Sequence, residues 1–363
     1  MTRWLLAGGG TAGHVNPLLA VADQLVAEGD EALVLGTAEG LESRLVPERG
    51  YELLVIPRVP FPRRPDAAAL RFPRAVTGSI ALTGRYLRER GIDGVIGFGG
   101  YAAAPAYLAA RRRGVPFAIH EQNAKPGMAN RLGARMTRTV GVTFPDTPLP
   151  HATRVGMPLR REIAALDRTA LRPEARAFFG FDADRPVLLV MGGSTGARRI
   201  NGTVLESAAA VVGAGWQVLH LAGARQEVAD PGIAGYRLLP YCDRMDLALA
   251  AADLAVSRAG AATVSEYSAV GLPAVYVPYA VGNGEQRFNA AGVVAAGGAV
   301  LEQDATFTPE RFATTVLPLL RSPDRVAAMA AAATGDGVRD GAARMTRLAR
   351  AGLAGSARVP SGA

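Results

Sequence analysis

Short apolar runs alternate with longer stretches of helical periodicity along the chain. In the first half, runs that predict buried strands lie at 5–7, 32–35, 94–97 and 117–119. The segment 17–27 predicts the first helix, with Pro17 near its start, where a missing N–H is tolerated. Strands that alternate with helices are typical of α/β proteins with parallel sheets. We therefore predict an α/β fold.

A second series of the same kind begins halfway along the chain. Its first strand is predicted at 185–191, followed by a glycine-rich turn and a helix, and later strands are predicted at 216–221, 254–257 and 274–277. A length of 363 residues fits two domains of ordinary size. We predict an N-terminal domain at 1–157 and a C-terminal domain at 158–337, with a cleft between them and a Pro- and Thr-rich linker at 143–158. A final helix near 338–354 is predicted to pack back on the N-terminal domain.

The net charge and the single cysteine limit the kinds of partner and site that the protein can have. The net charge of +8 and the sequence pI of about 10.1 favour anionic partners, whether nucleic acid, acidic lipid or a phosphorylated substrate. No recognition motif or aromatic platform supports nucleic acid, so we predict no nucleic-acid partner. Cys242 is the single cysteine, which excludes a disulfide framework and a Cys-based zinc site and fits a reducing cytoplasm. The N-terminus resembles no signal peptide and no apolar run reaches about 18 residues, so any membrane contact is predicted to be peripheral.

The first glycine-rich turn follows the first predicted strand. Gly8, Gly10 and Gly13 satisfy the dinucleotide pattern G-x-G-x-x-G. Glycine permits close backbone approach, and the amino terminus of a helix stabilises negative charge. An NAD site would also need an acidic residue at the end of the second strand, and that strand ends without one. The turn therefore predicts a phosphate-binding loop more strongly than it predicts NAD.

Two further glycine-rich turns follow strands in the second half, at 192–197 and 258–266. In the latter, backbone amides and Thr263 can bind a pyrophosphate, and the carboxylate of Glu266 can accept both hydroxyls of a ribose. The alternative for each loop is a tight βα turn whose Ser and Thr side chains only cap a helix. Three such loops at strand ends that face one cleft favour a ligand site.

Another polar cluster follows the predicted strand at 117–119. It comprises His120, Glu121, Gln122 and Asn123, and a glycine turn at 97–101 precedes the neighbouring helix. Ligands of parallel sheets bind outside the carboxyl ends of the strands, so this position suits a site. The alternative is a loop whose side chains only satisfy backbone groups.

These motifs, in this order, resemble the MurG family of lipid I N-acetylglucosaminyltransferases of peptidoglycan synthesis. The resemblance extends from Gly8 to about Gly298. Its motifs lie at 9–14, 99–101, 120–123, 193–197, 260–266, 271–273 and 286–290. Two positions depart from the family pattern: Ala12, where many relatives have glycine, and Cys242, where a larger aliphatic residue is common.

The resemblance implies a GT-B fold, with two Rossmann-like domains whose parallel sheets face a deep cleft. The C-terminal domain would bind UDP-N-acetylglucosamine (UDP-GlcNAc) and the N-terminal domain lipid I. The implied diphosphate contacts are Ser194, Ala261, Ala262, Thr263, Val264 and Ser265. Arg160 and the Cys242 backbone would lie near the nucleotide, Glu266 near the ribose and Gln286 near the sugar hydroxyls. Thr11, Ala12, Gly13 and Asn123 would complete the donor site from the N-terminal domain.

The implied reaction is an inverting displacement in which the 4-hydroxyl of the muramyl sugar attacks the anomeric carbon and UDP leaves. A base must take the hydroxyl proton, and positive potential must stabilise the diphosphate. We predict His14 as the base, because its ordinary pKa suits neutral pH, with Glu121 as the second candidate. The alternative for His14 is a neutral donor to phosphate. The amino termini of helices and Arg160 can supply the positive potential, so neither a metal nor a cofactor is predicted.

Basic and apolar residues are mixed at 61–65, 70–74 and 111–113. That composition suits contact with an anionic membrane surface, and the resemblance places the protein peripherally on the cytoplasmic face of the cell membrane. Partners among cell-wall and division proteins are possible in this family. The alternative is an ordinary solvated surface.

Three other functions compete with lipid I transfer. A related transferase with a soluble acceptor would keep the donor motifs and need no lipid. A UDP-GlcNAc 2-epimerase would share the fold but use no acceptor. A non-catalytic UDP-sugar-binding scaffold of the division machinery would be insensitive to changes at His14 and Glu121.

Overall fold

The computed structural model describes residues 1–60, 67–193, 196–279, 284–335 and 337–357. The chain forms two compact units, one of Met1–Arg160 with Asp340–Ala363 and the other of Arg161–Arg339. Each unit contains one sheet in which every described strand pair is parallel. The predicted α/β fold with parallel sheets is confirmed.

The sheet of the first unit has seven strands in the order β3-β2-β1-β4-β5-β6-β7. The strands are β1 Arg3–Ala7, β2 Glu31–Gly36, β3 Leu53–Val55, β4 Gly94–Gly97, β5 Phe117–Glu121, β6 Val140–Val142 and β7 Ala152–Arg154. The helices between them are α1 Ala12–Ala27, α2 Glu42–Glu48, α3 Ala67–Glu89, α4 Ala103–Arg113 and α5 Met128–Gly133. The strand order reverses between β1 and β4, so the loops that follow these two strands open the crevice where doubly wound sheets bind ligands.

The structure corrects two sequence predictions in this unit. Helix α1 begins at Ala12, five residues before the predicted start, because the left-handed Gly10 (φ +89°) and the extended Thr11 end the loop there. The predicted linker at 143–158 contributes the edge strand β7, in which Ala152 pairs with Val140. Its Pro- and Thr-rich composition suits an exposed edge strand as well as it suits a linker.

The sheet of the second unit has six strands in the order β10-β9-β8-β11-β12-β13. The strands are β8 Val187–Met191, β9 Gln217–Leu221, β10 Tyr236–Leu239, β11 Leu254–Ser257, β12 Ala274–Tyr276 and β13 Ala299–Leu301. The helices are α6 Arg161–Ala164, α7 Arg168–Phe179, α8 Arg198–Glu206, α9 Ala208–Gly213, α10 Met245–Ala251, α11 Ala261–Val270, α12 Glu285–Asn289, α13 Ala291–Ala295, α14 Pro309–Thr315, α15 Leu317–Leu320 and α16 Pro323–Thr334, with a 3₁₀ turn at Asp304–Thr306. The central strands are buried on both faces, which is why they appear in the sequence as uninterrupted apolar runs.

The last helix, α17 Gly341–Ala357, packs on the first unit. Met345 is fully buried there, and a Cβ added to Gly141 of β6 would lie 2.7 Å from its sulfur. Arg350 of the same helix forms an ion pair of 2.8 Å with Asp30. The chain therefore returns to its first unit after completing the second.

Candidate active site

The β1–α1 loop presents the amino terminus of α1 at the carboxyl edge of the first sheet. Gly10 is left-handed (φ +89°), Thr11 is extended, and Ala12, Gly13 and His14 form the first turn of α1. First-turn N–H groups have no carbonyl partner within their own helix, so they favour an anion. The predicted site residues Thr11, Ala12 and Gly13 are thus placed at one helix terminus.

The β4–α4 loop lies directly against the β1–α1 loop. Gly99 and Gly100 are both left-handed, with φ of +91° and +75°. A Cβ on Gly100 would collide with the carbonyl oxygen of Gly9, and a Cβ on Gly99 would lie 3.0 Å from His14 Nε2. Glycine is therefore required at both positions, and the contact fixes the imidazole of His14 beside the second loop.

His14 has the features of a neutral base. Its Nδ1 lies 2.9 Å from Thr11 Oγ1. Burial lowers the pKa of His14 to about 4, and the nearby charge of Glu42 only partly opposes this shift. The imidazole is consequently unprotonated at neutral pH. If Nδ1 carries the hydrogen and donates to Thr11, Nε2 is the atom that can accept a proton.

Glu121, the second candidate base, lies in strand β5 and not in a loop after it, which corrects the predicted end of that strand. Its side chain is 1% exposed. Oε1 accepts from the Asn123 N–H at 2.9 Å, and Oε2 accepts from the Gly127 N–H at 3.0 Å and from Asn130 Nδ2 at 2.9 Å. Burial raises the pKa of Glu121 against the opposing effect of these bonds. The contacts give Glu121 the geometry of a residue that holds the 121–127 turn.

Replacing Glu121 by glutamine is expected to destabilise the protein. A carboxylate accepts at both oxygens, whereas an amide accepts at one, so at least one buried donor loses its partner. We expect the free energy of unfolding to fall by about 1–3 kcal/mol in denaturant titrations. The exposed Glu39→Gln is the control and is expected to change nothing. Unchanged stability together with a loss of turnover greater than about 100-fold would instead make Glu121 the base.

His120 and His220 make structural contacts. Nε2 of His120, which is buried in β5, donates to the Gly156 carbonyl at 3.0 Å, and burial lowers the pKa of His120 to about 4. His220 in β9 bonds Tyr236 Oη at 2.7 Å and Asn201 Oδ1 at 3.1 Å. These contacts agree with the prediction that His220 is structural.

A carboxylate that the sequence did not single out holds the first glycine loop. Glu42, at the start of α2, accepts from the Gly10 N–H at 2.7 Å and from the Thr37 N–H at 2.9 Å. Burial alone would raise the pKa of Glu42, but hydrogen bonds from Gly10, Thr37 and its own N–H lower the pKa below its usual value. Three glycines that are dispersed in the sequence, Gly9, Gly36 and Gly40, approach this carboxylate in the structure, so the sequence alone does not single it out.

The second unit repeats the strand–loop–helix arrangement at β11 and α11. Gly260 is the extended N-cap, and Ala261, Ala262 and Thr263 form the first turn of the ten-residue helix. Val264 is buried beneath this turn, and Ser265 and Glu266 follow, both partly exposed. Among the described residues, the predicted diphosphate contacts at 261–265 and the predicted ribose contact Glu266 therefore lie in the first two turns of one helix.

Gln286 is oriented by a neighbouring aromatic segment. Its Oε1 accepts from the Tyr279 N–H at 2.8 Å, so Nε2 is the end that can donate to a sugar hydroxyl. The guanidinium of Arg258 lies 5.2 Å from the centroid of the Tyr279 ring and forms an ion pair of 2.6 Å with Asp304. Arg258 and Tyr279 were missed in the sequence because neither belongs to a recognisable spacing.

The remaining residues predicted to contact the donor lie in different parts of the fold, and one of them lies outside the described residues. Cys242 follows β10 and is buried, and burial raises the pKa of its thiol. Asn123 is partly buried in the turn held by Glu121, and Arg160 is the last residue of the first unit's main segment. Ser194 lies outside the described residues, as do 61–65 of the predicted membrane patch.

The part of the chain that the structure describes lacks both a cluster of metal ligands and a helix that could span a membrane. Within them, no three or more His, Cys, Asp or Glu residues come together as metal ligands. No helix in the same described part of the chain has the length and apolarity needed to cross a membrane. Of the predicted membrane patch, Leu70 in α3 is 85% exposed, and Arg111, Arg112 and Arg113 form the exposed last turn of α4.

Each of the two units matches a known protein family. The Glycosyltransferase family 28 N-terminal domain matches residues 4–142, and the Glycosyltransferase family 28 C-terminal domain matches residues 187–345. The crystal structure of Acinetobacter baumannii MurG superimposes with a TM-score of 0.76 at 28% identity and covers 97% of this chain and 100% of that one. A UDP-GlcNAc 2-epimerase from Neisseria meningitidis, at a TM-score of 0.68 and 14% identity, shares only the fold. The expected GT-B fold class is confirmed.

Curated relatives are similar over almost their whole length. A protein of Leifsonia xyli subsp. xyli, named UDP-N-acetylglucosamine--N-acetylmuramyl-(pentapeptide) pyrophosphoryl-undecaprenol N-acetylglucosamine transferase, is 64% identical over 97% of this chain and 99% of its own. The protein of the same name from Streptomyces coelicolor is 52% identical over 93% and 94% of the two chains. Identity of this extent confirms the resemblance found in the motifs and shows that the chain belongs to the family of UDP-N-acetylglucosamine--N-acetylmuramyl-(pentapeptide) pyrophosphoryl-undecaprenol N-acetylglucosamine transferases.

Proposed function

We propose that the chain transfers N-acetylglucosamine from UDP-GlcNAc to the 4-hydroxyl of the muramyl sugar in lipid I, with inversion, and so forms lipid II. The observation that carries this proposal is the identity of 51–64% with relatives named for the reaction, over 93–98% of this chain. The two helix termini with their glycine loops supply the anion sites that such a donor and acceptor need.

The second unit holds the donor in this proposal. The first-turn amides of α11, with Thr263 and Ser265, bind the diphosphate and stabilise the charge that develops as UDP leaves. Glu266, on the next turn, accepts from the ribose hydroxyls, and Nε2 of Gln286 donates to the transferred sugar. Ser194 and the Cys242 backbone complete the nucleotide site in this unit, and Arg160, the last residue of the first unit's main segment, is proposed as a further nucleotide contact.

The first unit holds the acceptor and the base. His14 Nε2 takes the proton of the 4-hydroxyl as that oxygen attacks the anomeric carbon, and the Thr11 contact at Nδ1 orients the ring. The amides of Ala12 and Gly13 offer positive potential to a phosphate, and Thr11, Ala12, Gly13 and Asn123 are proposed as further contacts of the donor. Neither a metal nor a cofactor takes part in this scheme.

We also propose that the first unit contacts the anionic cytoplasmic face of the cell membrane, where lipid I is held. Exposed Leu70 and the basic turn at Arg111, Arg112 and Arg113 support this contact, because apolar and cationic groups together favour an anionic interface. Binding to cell-wall and division proteins would follow from the same location.

The pH dependence of turnover reports the protonation of His14. Because burial lowers the pKa of His14 to about 4, the neutral base is fully present at pH 6–8 and is lost only as the pH falls through about 4. We expect kcat/KM to be flat from about pH 6 to 8 and to decline below about pH 5. The unfolded chain binds histidine protons more readily, so stability declines as the pH falls from about 6.5 to about 4, and circular dichroism must accompany each rate. An acidic limb at the ordinary histidine pKa would contradict the assignment.

Transfer from radiolabelled UDP-GlcNAc in detergent, with EDTA present, tests the proposed function. The acceptors are lipid I and a water-soluble muramyl pentapeptide without lipid or diphosphate. We expect label in a lipid-linked disaccharide and much less on the soluble acceptor. Preference for the soluble acceptor would indicate a related transferase, release of UDP without an acceptor would indicate an epimerase, and donor binding without turnover would indicate a scaffold. Activity that needs added magnesium would contradict the metal-free scheme.

A further inference from the structure

The Glu42 side chain is enclosed between the first glycine loop and the end of β2. It is 1% exposed. Oε2 accepts from the Gly10 N–H at 2.7 Å, whereas Oε1 accepts from the Thr37 N–H at 2.9 Å and the Thr37 hydroxyl at 2.8 Å. Each oxygen therefore holds a different segment, Oε2 the β1–α1 loop and Oε1 the residue after β2.

Three glycines make room for this one carboxylate. A Cβ on Gly9 or Gly40 would collide with the carboxyl group of Glu42, and a Cβ on Gly36 would lie 2.5 Å from its Cγ. Gly9 and Gly36 have ordinary backbone angles, so at these positions close approach and not a left-handed conformation requires glycine. The β1–α1 loop and the β2–α2 connection are thus built around the carboxylate.

The hydrogen bond at Gly10 is linked to the proposed base, His14, through a single residue, Thr11. Gly10 precedes Thr11, the N-cap of α1, and Thr11 Oγ1 lies 2.9 Å from His14 Nδ1. The Gly10 N–H donates to Glu42, so it is not available to a phosphate, and the first-turn amides of α1 remain as phosphate donors at this loop. The carboxylate of Glu42 thus holds the loop in its conformation without a bound anion.

We propose that Glu42 is a positioning residue for the transfer: by holding the Gly10 N–H, it fixes Thr11 and, through Thr11, the imidazole of His14. This role rests on the proposed function, in which His14 is the base. A side chain of the same shape without the second acceptor oxygen would not suffice. Glutamine accepts at one end only, so it would leave the N–H of either Gly10 or Thr37 without its acceptor.

The test compares Glu42→Gln with Glu48→Gln, which removes the same charge from the other end of α2, where Glu48 forms only an exposed i,i+4 pair with Arg44. Steady-state transfer to lipid I, Tm and UDP affinity by calorimetry are measured for both. For Glu42→Gln we expect kcat to fall about 10- to 100-fold, because a misplacement of about 1 Å has that effect on a reacting group. The UDP affinity should stay within about twofold, because the contacts proposed for the diphosphate and the ribose lie on α11 of the second unit. Glu48→Gln should match the unaltered chain.

Thr37→Val separates positioning from stability. This variant removes the hydroxyl bonded to Oε1 but leaves Glu42 on Gly10, so Tm should fall while kcat stays within about threefold. Equal kcat for Glu42→Gln and Glu48→Gln, in an active protein, would overturn the role of Glu42 alone. A fall of kcat that follows Tm equally in Glu42→Gln and Thr37→Val would show that Glu42 is only structural. No transfer by the unaltered chain would overturn the proposed function and this role with it.

Discussion

Gly100→Ala is expected to abolish most of the transfer activity and to destabilise the first unit. Gly100 has φ of +75°, and an added Cβ would collide with the Gly9 carbonyl oxygen. The left-handed backbone alone disfavours alanine by about 1–2 kcal/mol. The collision adds about 1–3 kcal/mol, since the neighbouring backbone has to move. Because that backbone carries the loop before His14, we expect kcat to fall about 100-fold as well.

The matched control for this variant is Gly114→Ala. Gly114 ends helix α4 with φ of +68°, and nothing lies within 4 Å of an added Cβ. Both variants thus share the backbone strain, and only Gly100→Ala adds the collision with the β1–α1 loop. Denaturant titration and steady-state transfer are compared for the pair. Equal losses of stability, with kcat unchanged in both, would mean that contact between the two loops has no part in the reaction.

His14→Ala is expected to have the largest effect on turnover itself. Removing a general base from its position lowers the rate by about 10²- to 10⁴-fold. His14 lies in the first turn of α1, where alanine suits the helix, so the fold should persist. The contacts proposed for the diphosphate and the ribose lie on α11 of the second unit, so UDP affinity by calorimetry should not change. The loss should therefore fall on kcat in steady-state transfer to lipid I.

The control for the imidazole is His151→Asn. His151 is exposed in the first unit and has φ of +58°, a conformation that asparagine tolerates. This variant removes a histidine without touching the glycine loops and should transfer at the normal rate. If His14→Ala retains kcat within about threefold of this control, then His14 only binds phosphate or orients the acceptor, and another group takes the proton.

The order of elements could be predicted from the sequence, because strands buried on both faces are continuous apolar runs. The predicted strands at 94–97 and 254–257 agree with β4 and β11 to the residue. The predicted ends of strands and helices were wrong where contacts with distant parts of the chain determine them. Strand β5 continues through His120 and Glu121, because their polar atoms find partners in neighbouring turns. No local pattern reveals such partners.

The candidate site was predictable where glycine spacing marks a helix terminus, as at Gly10 and Gly260. Glu42 was not, because its partners lie 32 and 5 residues away and its own position has no motif. An NAD site would place an acid at the end of β2 as a ribose ligand, whereas Glu42 bonds the glycine loop itself. The glycine pattern thus indicates the two helix termini but not the carboxylate that holds the first of them.

The measurement that tests the central claim most directly is nuclear magnetic resonance of the product made from ¹³C-labelled UDP-GlcNAc and a short-chain lipid I. Inverting transfer to the muramyl 4-hydroxyl predicts a single β-linked disaccharide, with the labelled anomeric carbon coupled to the proton at carbon 4 of the muramyl sugar. An α-linkage, attachment at another hydroxyl, or free N-acetylglucosamine with UDP as the only products would contradict the account.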